Sequence, residues 1–278
     1  MLWNQVMTDV KSMNIEEAKN FIANNPEGTY TILDVRQPWE YEKEHLPGGK
    51  LSPLGELVDS LGQLQKDKPV IVHCASGRRS QMAAQLMTGM GFKEVYNLEG
   101  GIHAWNGRKL TGAYNEGVRF LKGNEKPEEI IVLAYGMEVG LGSFYTAMTD
   151  KTEDKETATL FSRLSKVEDG HKNLVFRMYK QIAPSVADQN DFEKRIVPAV
   201  MEGGLTPEEF IDKYHPYMST PQDVLELAMT IEAQAIDLYI RYSGRVKDDE
   251  SKKILYALAE AEKTHLKSLG KSMDRLGK

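Results

Sequence analysis

Residues 133–171 and 227–265 carry one pattern twice, displaced by 94 positions. Leu133-Ala134 recurs as Leu227-Ala228, Glu138 as Glu232 and Tyr145 as Tyr239. Leu164 recurs as Leu258, Glu168 as Glu262 and His171 as His265. Self-similarity of this kind marks a duplicated supersecondary unit, and the apolar spacing within each copy is helical. Each copy therefore reads as a helical hairpin, and four long helices are expected at about 128–149, 154–183, 221–244 and 248–276. Thr220, Pro221 and Asp223 supply the third of these with an N-cap, a proline at N1 and a first-turn acid. The long 184–219 connection, with a short helix of its own at Thr206–Tyr214, can cross over to join the hairpins. The architecture expected for residues 127–278 is an all-α four-helix bundle.

The first 110 residues follow a different period. Short β-rich runs at Thr31–Val35, Pro69–His73 and Glu94–Leu98 alternate with helical stretches at Ile15–Ala23 and Ser80–Met90. Leu46-Pro47-Gly48-Gly49 and Glu99-Gly100-Gly101 punctuate the joins. This alternation predicts an α/β domain, a largely parallel sheet with flanking helices on both faces. The domains are expected at 1–110 and 127–278, with a Gly/Asn/Lys-containing linker at 111–126.

Composition narrows the chemistry. One cysteine in 278 residues excludes an internal disulfide, a CxxC zinc site and a cysteine-ligated iron–sulfur cluster. It also leaves no second thiol to resolve an oxidised first one, and a reducing cytoplasm is the natural compartment. The formal net charge is −6, and residues 1–110 hold twelve Lys/Arg against thirteen Asp/Glu, so neither half offers a basic stripe. No nucleic-acid or anionic-membrane partner is expected. No run approaches 18 apolar residues, so no transmembrane helix is expected, and the first residues lack the pattern of a secretory leader.

Cys74 lies in His73-Cys74-Ala75-Ser76-Gly77-Arg78-Arg79-Ser80, after a predicted strand and before a predicted helix. Backbone N–H groups of such a turn converge, forming an anion cradle that lowers a thiol pKa, and Arg78 and Arg79 add positive charge. A nucleophilic thiolate beside an anion pocket is the expected result. A lone cysteine after an apolar strand is more often a buried core residue; the glycine, the arginines and the strand–loop–helix setting reverse that reading here.

These residues resemble the rhodanese (sulfurtransferase) family over about residues 8–110. The resemblance includes Leu33-Asp34-Val35-Arg36, Trp39-Glu40-Tyr41, His45-Leu46-Pro47-Gly48, the Cys74–Ser80 loop and Asn97–Gly101 running to Trp105. It implies that Cys74 takes sulfane sulfur from a donor such as thiosulfate, holds it as a persulfide, and passes it to an external thiol or protein acceptor. Ala75, Ser76, Gly77, Arg78 and Arg79 would bind the persulfide and the donor anion. Four residues separate Cys74 from Arg79, a shorter loop than the Cys-x5-Arg of phosphatases on a related fold, which favours sulfur over phosphate. Asp34 and Arg36 are expected to orient the loop. His73 should point to the opposite face of its strand from Cys74, and His45 and His103 read as structural.

Glu168-x-x-His171 and Glu262-x-x-His265 each place a carboxylate and an imidazole one helical turn apart. Alone this spacing is weak, and Glu42-x-x-His45 in the other half is a decoy. Two further regularities strengthen it. Glu138 precedes Glu168, and Glu232 precedes Glu262, by 30 residues, so hairpin turns near 151 and 246 set each pair at one height. Apolar neighbours flank these acids: Val139, Leu141 and Phe144; Leu164 and Val167; Ile231 and Ile236; Leu258 and Ala261. Carboxylates on apolar stripes need compensation, which two metal cations would supply.

The constellation resembles the rubrerythrin-like branch of ferritin-like di-iron proteins over about residues 126–276. The resemblance implies six metal ligands, Glu138, Glu168, His171, Glu232, Glu262 and His265, with Glu168 and Glu262 bridging. Tyr145 and Tyr239 would either donate hydrogen bonds to the ligands or serve as aromatic core. Two metal ions per chain are implied, iron first, with manganese or zinc compatible with the same ligands. The chain departs from the family in lacking cysteines for a rubredoxin-like domain. It also has Met229 where an extra carboxylate often stands, with Glu226 two turns from the ligands a weak substitute. His215 reads as structural.

The expected function joins a sulfurtransferase to a di-iron domain performing redox chemistry on peroxide or O2 with an external electron donor. The alternative is a non-catalytic sulfur carrier or oxidant sensor whose metals are structural or sensing. Iron storage fits less well because nothing indicates a cage. A homodimer is compatible with the bundle.

Overall fold

The computed structural model describes residues 10–112, 114, 121–184, 188–196, 206–214 and 218–276. The chain divides into two compact units, Met1–Glu116 and Gly117–Lys278. Part of the expected linker, at 113 and 115–120, and His215 lie outside the described residues.

The first unit is a five-stranded, all-parallel sheet of β1 (Lys11–Met13), β2 (Thr31–Asp34), β3 (Lys50–Leu51), β4 (Val70–His73) and β5 (Val95–Leu98). The strand order is β1-β5-β4-β2-β3. Helices α1 (Ile15–Asn24), α2 (Pro38–Lys43), α3 (Leu57–Ser60), α4 (Arg78–Gly89) and α5 (Gly101–Ala104) connect them. Two separate apolar cores lie on the two faces of the sheet. Leu33, Val70, Val72 and Val95 pack with Ala83, Ala84 and Met87 of α4. Ile32, Ile71 and Leu98 pack on the other face with Ala18 of α1 and Ile102 of α5. This alternation, with all four residues of β4 buried, is what a parallel strand covered on both faces requires.

The second unit carries four long helices: α6 (Pro127–Lys151), α7 (Lys155–Ile182), α10 (Pro221–Ser243) and α11 (Asp249–Leu276). Two short helices, α8 (Gln189–Glu193) and α9 (Pro207–Tyr214), lie in the crossover between them. Asp154 caps α7 by accepting the Thr157 N–H at 2.8 Å. Thr220 caps α10, accepting the Asp223 N–H at 3.2 Å while the Thr220 N–H donates to the Asp223 carboxylate at 2.8 Å. The hairpin turns fall at 152–154 and 244–248, so Glu138 and Glu168 are equally far from the first turn, and Glu232 and Glu262 differ by only two residues in their distance from the second. Two apolar clusters line the bundle. Phe192 of α8 is fully buried and packs edge-on against Tyr135 at 4.9 Å, fastening the crossover to α6.

Helix α6 is long and apolar enough by composition to cross a membrane, with mean hydropathy 1.4 over its most apolar window, although no such segment was expected from the sequence. Its apolar side chains are largely buried against the other helices, which explains that composition within a bundle. Val167 departs from expectation in the other direction. It was assigned to an apolar stripe beside Glu168, and it stands 46% exposed.

Candidate functional site

Cys74 follows the C-terminal end of β4, between β5 and β2, where open parallel sheets bind ligands. The loop closes on Gly77, whose φ of +93° disfavours a side chain and whose Cβ would meet the Gly100 nitrogen at 3.3 Å. With Gly77 as N-cap, α4 starts at Arg78 and Ser80 in its first turn reaches back to the sulfur. The Gly77 N–H donates to Cys74 Sγ at 3.2 Å, and the Ser80 hydroxyl lies 3.5 Å from it. That hydroxyl has one proton and three acceptors within reach: Sγ, the Gly77 carbonyl at 3.1 Å and Asn97 Oδ1 at 2.6 Å. Burial works against the Cys74 thiolate, but hydrogen bonds from the Ser80 hydroxyl and the N–H groups of Ser80, Ser76 and Gly77 outweigh it. The thiol pKa is thereby lowered. Ser80→Ala should move that pKa upward, measured as the pH profile of alkylation; an unchanged profile would leave the backbone N–H groups as the whole cause.

The far side of the loop is pinned by α5. Ile102 N–H donates to the Cys74 carbonyl at 2.8 Å and His103 N–H to the Ala75 carbonyl at 3.0 Å. Gly101 makes this approach possible, because a Cβ there would stand 2.4 Å from the Cys74 carbonyl oxygen.

Arg79 was expected to face the sulfur donor. Its Nη1 and Nη2 donate to the two carboxylate oxygens of Glu40 at 2.7 and 2.6 Å, a bidentate pair. The arginine pKa is raised first by the Glu40 hydrogen bond, with the Cys74 charge contributing as well. Arg78 is exposed. Asp34 and Arg36 form a buried bidentate pair, and Arg36 Nη2 also donates to the Glu44 carbonyl at 2.7 Å. They fix the segment carrying Glu40. His73 Nε2 is 3.7 Å from Asp34, on the strand face opposite Cys74, and burial lowers its pKa. His45 stacks on Tyr41 with ring centroids 3.9 Å apart.

Glu40 carries a pH signature. The Arg79 hydrogen bond, opposed by burial and reinforced by the Gln37 N–H, holds its carboxyl at about 2 instead of 4.5. A carboxyl with a depressed folded-state pKa stabilises the fold above its unfolded value and loses that contribution as pH falls through the folded value. Glu40→Gln should therefore melt at lower temperature than the parent at neutral pH. The two should converge as pH falls from 4.5 towards 2 in parallel thermal melts; a constant gap across that range would contradict the assignment.

In the helical unit, α6, α7, α10 and α11 bring all six expected metal ligands together. His171 Nδ1 is 2.7 Å from Glu168 and 3.3 Å from Glu138; His265 Nδ1 is 2.8 Å from Glu262 and 3.9 Å from Glu232. The imidazoles stack with centroids 3.3 Å apart and planes 4° from parallel. Their ligand atoms form two groups, Glu138–Glu168–His171 and His171–Glu232–Glu262–His265, each within 4.8 Å. All four glutamates and His171 are buried, and Glu138, Glu168 and Glu262 have only histidines as ion-pair partners among the described residues.

Carboxylates buried this closely together are costly unless protonated, paired or bound to cations. Burial and the charges of Glu262 and Glu168 push the Glu138 carboxyl well up. Burial opposes ionisation of Glu262 too, but hydrogen bonds with His265 and Glu232 outweigh it and hold its pKa down. Among the described residues, buried Glu168 Oε2 and His171 Nε2 have no hydrogen-bond partner, although Glu168 Oε2 is close to the imidazole. Two divalent cations would balance four carboxylates and satisfy those orphaned atoms, so the residues present fit a di-metal centre.

The Rhodanese-like domain family matches residues 15–108, and the Rubrerythrin family matches residues 129–273, more than half of the chain. This chain belongs to both families. Its rhodanese-like unit is 33% identical over 99 residues to thiosulfate sulfurtransferase GlpE of Pseudomonas syringae, covering 36% of this chain and 90% of that one. It is 46% identical over 77 residues to YrkF of Bacillus subtilis, to which a sulfur-carrier role has been attributed. That match covers 28% of this chain and only 42% of YrkF. The crystal structure of a rhodanese-like domain protein from Staphylococcus aureus aligns at 28% identity and TM-score 0.35, over 37% of this chain and 100% of that one.

Several residues of these sites were not singled out in the sequence. In the rhodanese-like unit, Glu40 is 39 positions from Arg79, and no spacing rule links them. Ser80 had a signal, since a cap at Gly77 places the third helical residue over the loop. In the rubrerythrin unit, Gly142 lets α6 approach α7, because its Cβ would lie 3.3 Å from Glu168 Cβ. Tyr145 and Tyr239 are buried; Tyr145 packs on Phe144 at 5.2 Å, and Tyr239 lies in the other apolar cluster.

Proposed function

We propose that the rhodanese-like unit moves sulfane sulfur through a Cys74 persulfide. The observation that carries this reading is the low-pKa sulfur held by the Gly77 N–H and Ser80 at the end of β4. The Cys74 thiolate attacks the outer sulfur of thiosulfate, the S–S bond of the donor breaks, and sulfite leaves with the electron pair. The N–H groups of Ser76, Gly77 and Ser80 then face the terminal persulfide sulfur, and Ala75 through Arg79 hold the anions. An acceptor thiolate or cyanide attacks that outer sulfur and returns Cys74 to the thiolate. Arg79 keeps its charge near the reacting sulfur while Glu40 fixes its orientation. With one cysteine in the chain, the acceptor is external and the compartment is the reducing cytoplasm.

In the rubrerythrin unit, Glu138, Glu168, His171, Glu232, Glu262 and His265 would hold two metal ions, iron first, with Glu168 and Glu262 bridging. When bound, iron supplies one-electron redox chemistry towards peroxide or O2, resupplied by an external donor. The chain's own residues bind the cations and neutralise their charge, with Tyr145 and Tyr239 as candidate hydrogen-bond donors behind the ligands.

The second reading is a sulfur carrier, supported by the likeness to YrkF. Thiosulfate and excess cyanide separate the two. Sustained thiocyanate release supports the transferase, whereas a single stoichiometric labelling of Cys74 supports the carrier. An iron-loaded sample whose optical spectrum does not respond to peroxide would remove the redox reading of the second site.

A further inference from the structure

A cavity of about 460 Å³ opens onto the carboxylate–histidine cluster. Glu168, Glu232 and His265 form one end of its lining. From there it follows α7 back to Glu156 and α11 forward to Leu276. These spans of twelve and eleven residues correspond to about 18 and 16 Å of helix. The two helices traverse it in opposite directions, so the lining describes one elongated space that starts at the ligands. Leu160, Leu164, Leu225 and Leu269 supply much of its wall. Val167, anomalous as an exposed valine in a bundle, lines the same space.

The dimensions do not match hydrogen peroxide. A water molecule's share of liquid volume is about 30 Å³, so the cavity has room for roughly fifteen waters. Volumes of this order, with apolar walls and a few placed polar groups, are those of pockets for organic ligands. Charge identifies the ligand's other end. Arg163 and Arg275 line the cavity, and neither has an ion-pair partner among the described residues. Glu156 is the single acid of the lining outside the ligand set. Arg275 is ten residues from His265 on α11, about 15 Å along the helix. A guanidinium suits a carboxylate, sulfate or phosphate head, and this one stands a chain's length from the metal ligands.

We propose that this cavity binds an amphiphilic organic anion, and that the peroxide reduced at the cluster is an organic hydroperoxide with an apolar chain and an anionic head. The anionic head meets Arg275 and Arg163, the chain lies along the leucine wall, and the hydroperoxide reaches the Glu168–His265 end. The proposal rests on the redox reading of the second site. In the reaction the O–O bond of ROOH breaks; two electrons from the external donor and two protons from solvent give ROH and water.

The test begins with binding of dodecanoate to the full chain, with and without iron, by titration calorimetry. Saturable binding is expected in both states. Ser268→Trp, at an exposed lining position, should weaken it about tenfold or more, and Val167→Trp should do so from the opposite wall. Replacing Arg163 and Arg275 with glutamine should weaken dodecanoate about tenfold and leave decanol unchanged. All variants should load iron and melt like the parent. No saturable binding by the parent, or parent-like binding by both tryptophan variants, overturns the cavity assignment. Unchanged dodecanoate affinity in the double arginine variant overturns the head-group assignment. Loss of the redox reading is a separate outcome, because it leaves dodecanoate binding and its sensitivity to tryptophan intact. Conversely, an iron-loaded chain that consumes hydrogen peroxide but not a fatty-acyl hydroperoxide keeps the redox reading and overturns the proposal.

Discussion

Cys74→Ser should lower sulfur transfer from thiosulfate to cyanide at least about a thousandfold, to the uncatalysed background, because loss of a nucleophile removes the step that the remaining groups assist. The same substitution should remove the persulfide detectable by cyanolysis or mass analysis, while the melting curve changes little. The side chain is small, 1% exposed and surrounded by donors that a serine oxygen can also engage, so structure and chemistry separate cleanly at this position. Retention of the full rate would move the sulfur-carrying role away from the only cysteine in the sequence, leaving no thiol to take it.

The second large effect concerns the helical unit. Glu168→Ala combined with Glu262→Ala should reduce bound transition metal from about two ions per chain to nearly none, since each substitution removes the proposed bridging carboxylate of one hairpin. Binding to the folded state alone stabilises it by linkage, so chelation should lower the melting temperature of the parent. In the double variant chelation should have no further effect. Iron analysis of both proteins after expression with ample iron checks the first statement, and scanning calorimetry with a chelator checks the second. A double variant that keeps the parent's metal content would refute the ligand assignment.

The parts of this molecule legible in its sequence are those governed by period. The duplicated spacing of Glu138, Glu168 and His171 specified the heights at which side chains meet across a hairpin, because rise per residue is constant in a helix. The three inner strands were visible as apolar runs since both faces of the sheet are covered. β1 and β3, three and two residues long at the sheet edges, are too short to show a period. Helix α8 was missed for the same reason, although the buried Phe192 it carries anchors the crossover. Long-range polar pairing was illegible in principle. Glu40 and Arg79 meet only because the sheet order places α2 and the start of α4 together, and Arg79 could not be known to face a carboxylate before that partner was found. The apolar stripe assigned to Val167 failed because helical spacing predicts a face but cannot tell a packed wall from one left open to a cavity.

The symmetric placement of the glutamate pairs also governs how the chain comes together. Each hairpin is complete in itself, with its own tight turn, and each carries two of the four acids on the face it must present to the other. Closing the bundle therefore forces four carboxylates into one water-poor space, an event local hairpin formation does not share. The cations that would complete the centre are thus positioned to act on the docking step and not on helix formation. If the centre fills as proposed, metal supply would then help decide whether newly made chains mature, independent of any turnover they later perform.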